Sequence, residues 1–457
     1  MSQLISTDYK RLIVGLGMTG LSAARYCQHR GWAFDLCDSR DTPPGLDAVR
    51  AEFPQAEIYS GELQADILSQ YDELVVSPGI AISHPAIAAA RQAGARIAGD
   101  IQLFADVCDK PLIAITGSNG KSTVTTLVGE LLTASGKRCA VGGNIGVPAL
   151  DLLVDGAETD IYVLELSSFQ LETTEKLAAS AAVVLNMSED HMDRYQGMAD
   201  YHQAKHRIFQ QCRGVVVNRD DALSQPLVSD IMPRLSFGLN KADIGQFGLE
   251  RIDGESWITF GTEKIIAASE LKIKGQHNLA NVMAALALIQ LVGVDIKTVL
   301  PALHAFTGLD HRCQWLGNKA GVDFYNDSKG TNVGSTLAAL YGLGPEINGK
   351  IWLLAGGEGK GQDFSPLASA CEQFAAEVLT FGADATVIAA AVAGVCPVSQ
   401  HVTLNDAFAR ACSVAAAGDV ILLSPACASF DQFKHYVARG EYFSALVATA
   451  MSKEATL

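Results

Sequence analysis

A chain of 457 residues, 49% hydrophobic and 18% charged, has the composition of a folded globular protein with apolar residues enough for about three cores. A formal net charge of −16 argues against a general nucleic-acid or anionic-membrane binder, so a phosphate-bearing ligand must be met by local cations and helix ends. The ten cysteines are scattered without a C-x-x-C pair, which excludes a disulfide framework and reads as reduced thiols of a cytoplasmic protein.

The first predicted element is a strand over 12–14. It runs into Gly15-Leu16-Gly17-Met18-Thr19-Gly20, a helix over 21–30 and a second strand over 33–37 that ends at Asp38. Glycines spaced G-x-G-x-x-G at a strand-to-helix turn, with an acidic residue after the next strand, place a helix N-terminus against a pyrophosphate and a polar side chain near a sugar. A UDP-sugar meets that description as well as NAD does, with Gly17, Thr19 and Asp38 as the binding positions. A further strand over 74–76 leads into Ser77-Pro78-Gly79, where a ligand could lie or a plain turn could stand. Residues 1–11 lack the apolar core of a signal peptide.

Near Pro111 a second unit begins. The apolar run 112–116 is followed by Gly117-Ser118-Asn119-Gly120-Lys121-Ser122-Thr123 and by a helical pattern over 124–132. Strand, glycine turn, Lys-Ser-Thr and helix make a triphosphate cradle: backbone N–H groups approach phosphate, Lys121 offsets charge, and a hydroxyl ligates Mg²⁺. The pattern departs from the usual form because Ile115 stands five residues before Gly120, where glycine is expected. A glycine-rich turn around Asn144 follows, and then an apolar strand over 161–164 ends at Glu165, a position suited to an Mg²⁺ ligand. The strand 181–185 opens into the polar burst Asn186-Met187-Ser188-Glu189-Asp190-His191, in which His191 could ligate a second metal or be structural. The helix 201–212 carries Lys205, His206 and Arg207, by themselves a basic face. The most apolar helix, 279–294, is interrupted by Asn281 and Gln290 and reads as buried rather than membrane-spanning.

From about Gly308 the pattern returns to alternating strands and helices, with strands at 322–325, 350–355, 377–380 and 420–423, which predicts a third, Rossmann-like domain. The strand ends carry Asp327-Ser328-Lys329-Gly330-Thr331, Gly356 to Lys360, and Ser424 to Phe433. The fold expected is α/β in three domains: a Rossmann-like unit over 1–105, a central phosphate-loop ATPase with a mostly parallel sheet over 106–308, and a Rossmann-like unit over 309–457.

The phosphate loop, Glu165-Leu-Ser-Ser-Phe-Gln170, Asn186 to His191, His277-Asn278 and Asn326-Asp-Ser-Lys329 together resemble the Mur ligases, ATP-dependent amide-forming enzymes of peptidoglycan precursor synthesis. That family shares the shortened phosphate loop. Within it, the N-terminal glycine turn and Ser424 to Phe433 are most similar to the member that adds D-glutamate to UDP-N-acetylmuramoyl-L-alanine. The resemblance implies that Gly117 to Thr123 hold ATP, with Asn278 near adenine and Arg312 and Asp327 gripping the nucleotide. It implies one Mg²⁺ beside Ser122 and Glu165, and a second at His191 and at Lys205, expected to be carbamylated. Asn144 and His191 would contact the muramoyl substrate, while Lys121, His191 and Lys205 would serve catalysis. An amino acid with two carboxylates needs several donors, which Lys329, Thr331, Lys360, Ser429 and the N–H of Phe430 can supply. A monomer is expected. An NAD-dependent oxidoreductase, a non-catalytic nucleotide-binding protein and another ligase of the same or the folate-polyglutamate type remain as alternatives.

Overall fold

A computed structural model describes residues 9–452 apart from 230 and 274, so most of the stretch 1–11 considered for a targeting signal lies outside the described residues. Three sheets follow one another along the chain. The first contains β1 (Arg11–Val14), β2 (Asp35–Asp38), β3 (Ile58–Ser60), β4 (Glu73–Val76) and β5 (Arg96–Ala98), all parallel in the order β3-β2-β1-β4-β5. Its direction of growth reverses between β1 and β4, which opens a crevice beyond their carboxyl ends. The Gly15 turn and the Ser77 turn stand there.

The second sheet contains β6 (Leu112–Thr116), β7 (Cys139–Gly143), β8 (Ile161–Glu165), β9 (Ala181–Val184), β10 (Val215–Asn218), β11 (Arg234–Phe237), β12 (Gln246–Ile252), β13 (Glu255–Phe260) and β14 (Glu263–Ala267). Its order is β14-β13-β12-β11-β10-β9-β6-β8-β7, parallel from β7 to β12 and closed by an antiparallel meander. Strands β6, β8 and β9 are buried at every position, as a sheet covered on both faces requires. The helices Lys121–Ala134 and Gln276–Leu291 cover one face. Residues 282–289 of the latter are all fully buried, so the apolar run at 279–294 is a core helix. Among the described residues no helix is long and apolar enough to cross a membrane.

The third sheet contains β15 (Gln314–Lys319), β16 (Val322–Asn326), β17 (Ile351–Gly356), β18 (Ala375–Phe381), β19 (Val398–His401) and β20 (Val420–Leu423), in the order β15-β16-β20-β17-β18-β19. Only β15 runs antiparallel. The α/β architecture with three mostly parallel sheets is the expected one. Several elements differ from the sequence reading. The helix Met18–His29 starts three residues early, taking Thr19 into its first turn. The expected helix 201–212 is Met198–His206 followed by a 3₁₀ turn, Arg207–Phe209. The edge strands β15 and β19 were not anticipated, because their half-exposed sequences carry little apolar periodicity.

Candidate active site

The phosphate loop leaves β6 at the point where the second sheet reverses order. Thr116 is buried and its hydroxyl donates to Leu166 O at 2.7 Å, anchoring the strand end. Asn186, at the end of the neighbouring β9, then holds the loop. Its backbone O accepts from Ser118 N at 2.9 Å, its Oδ1 accepts from Asn119 N at 2.8 Å, and its Nδ2 donates to Asn119 O at 3.0 Å. Gly120 has φ +82°, and a Cβ there would stand 2.5 Å from Asn281 Oδ1, so this turn requires glycine. Asn281 in turn donates to Asn278 Oδ1 at 3.3 Å, which ties the loop to the two asparagines of the buried helix. Lys121 Nζ donates to Gly117 O and Ser118 O, each at 2.8 Å. Burial lowers its pKa, against the pull of Glu165 and Asp190.

Glu165 ends β8 beside the loop. Its Oε1 accepts from Asn144 Nδ2 at 2.9 Å, while its buried Oε2 has no hydrogen-bond partner among the described residues. Burial pushes this carboxyl up, but Lys121 above all, helped by the nearby Ser122 hydroxyl, the Asn144 hydrogen bond and Arg312, brings it below the usual range. A charged, buried carboxylate with an idle oxygen next to the Ser122 hydroxyl is the donor set a hard divalent cation takes. The residues fit Mg²⁺. Arg312, from the third domain, donates from Nη2 to Ser122 Oγ at 2.5 Å, reaching across to the loop.

His191 follows β9 with φ +58° and packs its ring on Phe169, centroids 4.8 Å apart. Its Nε2 lies 3.7 Å from Asp190 Oδ2. Burial lowers its pKa, opposed by Asp190. The plain reading of the 205–207 run as a basic face, though not the placing of Lys205 among the site residues, is corrected by the structure. The run Lys205, His206, Arg207 is no solvent-facing basic strip: Lys205 is buried at 2% exposure, with Nζ donating to Gly117 O at 2.9 Å and lying 3.4 Å from Thr116 Oγ1. His206 turns to Leu223 O and Arg207 to Thr174 O. Burial first, and Lys121 second, hold the Lys205 amine well below its ordinary pKa.

The third domain completes a cavity of about 640 Å³ around these groups. Asp327 accepts from Ser424 Oγ at 2.7 Å and from Cys313 N at 3.1 Å, and burial raises its carboxyl to about 7. Lys329 lies over the Tyr436 ring at 4.1 Å, its pKa brought down to about 8 by burial, then by Arg312 and Lys121. Lys360 pairs with Asp190 at 3.1 Å. Thr331 and the buried Ser429 line the wall, and Phe430 is 68% exposed at the rim. Asn278 and Thr123 line it from the central domain.

A second cavity, about 470 Å³, lies at the reversal point of the first sheet and is lined by Gly17, Thr19, Asp38 and Ser77. Gly20 matters here for a steric reason: a Cβ on it would stand 1.7 Å from Gly15 O, so the helix could not close on the turn. Asp38 is not a free acceptor. Leu16 N, Arg40 N and the Arg40 guanidinium all donate to it, at 2.7 to 2.9 Å. Asp38 therefore latches the turn and holds Arg40, a lining cation that the sequence reading missed. Its only sequence signal was a cation two residues after the strand-end acid. Asn144 lines both cavities and is the link between them.

Arg194 was missed as well. It donates to Glu172 Oε2 at 2.8 Å and to Ile80 O at 3.3 Å, and it stacks on Phe169 at 4.5 Å, so one side chain joins the first domain's turn after β4 to the ring beneath His191. From the third domain, Ser335 Oγ donates to Asn119 Oδ1 at 2.6 Å, touching the phosphate loop itself.

Comparisons with known proteins cover the same ground. Residues 9–99 match the model of the Mur ligase MurD-like N-terminal domain, 115–289 that of the Mur ligase middle domain, and 311–427 that of the Mur ligase glutamate ligase domain. The chain is 53% identical over 444 residues to the UDP-N-acetylmuramoylalanine–D-glutamate ligase of Pseudomonas aeruginosa, covering 97% of this chain and 99% of that one. To the protein of the same name from Marinobacter nauticus it is 52% identical over 447 residues, 98% and 99% of the two chains. Among solved structures, a pseudomurein peptide ligase type C from Methanothermus fervidus superposes with a TM-score of 0.61 at 15% identity, over 97% of this chain and 100% of the other. A UDP-N-acetylmuramate–alanine ligase from Thermotoga maritima does so with 0.60 at 20%, over 96% and 99%. These two likenesses concern the fold.

Proposed function

The chain belongs to the Mur ligase family, and from that premise we propose that it is an ATP-dependent ligase joining D-glutamate to UDP-N-acetylmuramoyl-L-alanine in peptidoglycan precursor synthesis. The observation that carries this reading is the meeting of three ligand walls: the phosphate loop, the Lys329–Lys360–Ser429 wall of the third domain, and the first domain's cavity joined to them through Asn144. An NAD reading of the glycine turn leaves two of those walls idle and asks for a ribose contact from Asp38, whose oxygens are already occupied by Leu16 and Arg40.

In this mechanism the UDP-linked substrate lies along Gly17, Thr19, Ser77 and Arg40 with its free carboxylate near Asn144 and His191. That carboxylate attacks the γ-phosphorus of ATP. A C–O–P linkage forms, the bond to the β-phosphate oxygen breaks, and ADP leaves. The amine of D-glutamate then attacks the acyl carbon, and the tetrahedral intermediate expels phosphate and leaves the amide, the surplus proton departing with phosphate or solvent. Lys121 and Arg312 offset charge at the transferring group, and the loop N–H groups orient it. Glu165 and Ser122 would hold Mg²⁺, which when bound neutralises phosphate charge. Asn278 would meet adenine and Asp327 the ribose side of the nucleotide. Lys329, Thr331, Lys360, Ser429 and Phe430 N–H would receive the two carboxylates of D-glutamate.

Lys205 is best read as a carbamylated residue that, with His191, would hold a second Mg²⁺. What supports this is burial that favours a neutral amine, the form that adds CO₂, in a cavity that the amine shares with Lys121, His191 and the carboxylates of Glu165 and Asp190. The working unit is taken as a monomer, since one chain supplies all three walls, with domain limits near 105 and 308; the cytoplasm is its proposed location, from its scattered cysteines and its precursor-synthesis role. Hydroxylamine trapping tests the chemistry. ATP and UDP-N-acetylmuramoyl-L-alanine without D-glutamate should yield a hydroxamate; its absence, with turnover otherwise intact, would remove the acyl-phosphate step.

A further inference from the structure

The large cavity holds a pair of opposite charges that no step above uses as a pair. Asp190 follows β9 in the central domain and Lys360 follows β17 in the third. Their side chains are only 11% and 17% exposed, with Nζ 3.1 Å from Oδ1. The other carboxylate oxygen accepts from Asn332 Nδ2 at 3.3 Å and lies 3.7 Å from His191 Nε2. Lys360 stands in a turn fixed on both sides, Gly359 N donating to Asp384 Oδ2 at 2.6 Å and Gln362 Nε2 to Gly359 O at 2.8 Å, with φ +54° at Lys360 itself. These charges are held on built backbone at the join of two domains.

A buried ion pair is costly to separate because each charge is left uncompensated. A ligand carrying both signs avoids that cost: it can enter between the two groups and give each a new opposite. An amino acid is such a ligand, its ammonium and carboxylate a few bonds apart. The geometry points to the Asp190–Lys360 pair as the docking site of the amino-acid zwitterion, with Lys360 exchanging Asp190 for a carboxylate of D-glutamate and Asp190 exchanging Lys360 for its ammonium. The assignment rests on the ligase reading of this cavity and adds to it the group that recognises the amine. Asp190 becomes a specificity-determining residue, selecting amino acids over dicarboxylates and delivering the nitrogen beside His191. Asp190 holds the ammonium; the proton lost before attack is not assigned to it. With no amino acid present the pair neutralises itself and spans the two domains.

Glutarate, which has the two carboxylates of D-glutamate and no amine, is the probe. Its affinity and that of D-glutamate are measured on the full chain by isothermal titration and by competition in turnover. The wild type should prefer D-glutamate by about 10- to 100-fold, the worth of a hydrogen-bonded charge contact. Asp190→Asn should bring the two ligands to within about threefold of each other. An unchanged preference in the variant would overturn the assignment, as would an effect confined to the Mg²⁺ or ATP requirement. If Asp190→Asn does not fold, the wild-type comparison decides alone, since glutarate binding as tightly as D-glutamate excludes an ammonium site. A wild type that never consumes D-glutamate would instead remove the ligase reading, so the two failures are distinct.

Discussion

Gly120→Ala puts the geometry of the phosphate loop to a quantitative test. Gly120 has φ +82°, where a residue with a Cβ is strained by about 1–2 kcal/mol. The added methyl would also stand 2.5 Å from Asn281 Oδ1 and 3.3 Å from its Cγ. Asn281 must then rotate and surrender its 3.3 Å bond to Asn278, worth about 0.5–1.5 kcal/mol. The sum is about 1.5–3.5 kcal/mol, or about 3–14 °C in the unfolding midpoint of a domain this size. Gly136→Ala is the internal control. It has nearly the same φ, +85°, but nothing lies within 4 Å of its would-be Cβ, so it carries the strain alone, about 1–2 kcal/mol. Thermal unfolding and Mg-ATP titration of both variants read the difference. Gly120→Ala should be the less stable and should lose nucleotide affinity, while Gly136→Ala keeps it. Equal stabilities with normal ATP binding in both would refute the contact of the loop with Asn281.

Lys121→Ala should lower ligation by at least about 10²- to 10³-fold with unfolding unchanged, and near-normal turnover would remove the ATP assignment. Lys205→Ala should lose about 10- to 100-fold or more in activity and recover part of it with a short carboxylate such as acetate or propionate, whereas a loss that no carboxylate relieves would oppose carbamylation. Asp100 gives a pH test of the boundary between the first and second domains. It is buried, its Oδ2 accepts from Gln170 Nε2 at 2.9 Å, and burial raises its carboxyl from 3.8 to about 6. With the folded value raised, its contribution is complete below pH 3.8 and is lost as pH climbs through about 6, a swing of up to about 3 kcal/mol. Asp100→Asn should flatten the stability profile over that window, and a profile that keeps its slope would place the effect elsewhere.

What the sequence disclosed was mostly local. The phosphate loop, the Gly15 turn and the strand ends at Glu165 and Asp327 are each written within a dozen residues, where an apolar run, a glycine turn and a helix pattern adjoin. Asp38 was legible as a strand-end acid but not as the latch for Arg40, because side-chain pairing across a turn leaves no periodic trace. Lys205 shows the limit more plainly. Its neighbours His206 and Arg207 make the triplet look like a plain basic face, and only the approach of Thr116 and Gly117, 89 and 88 residues away, buries its amine. The Asp190–Lys360 and Arg312–Ser122 contacts join residues 170 and 190 positions apart, so they depend on how the domains meet. The antiparallel edge β15 was missed because a half-exposed edge strand needs no alternating pattern to pair with β16.

The central claim is tested most directly by phosphate release from Mg-ATP, measured with each substrate omitted in turn and with a panel of amino acids in place of D-glutamate. The account predicts sustained release only when UDP-N-acetylmuramoyl-L-alanine and D-glutamate are both present, one phosphate for each amide formed by mass spectrometry. Release that is indifferent to the amino acid, or sustained by another amino acid and not by D-glutamate, would contradict it.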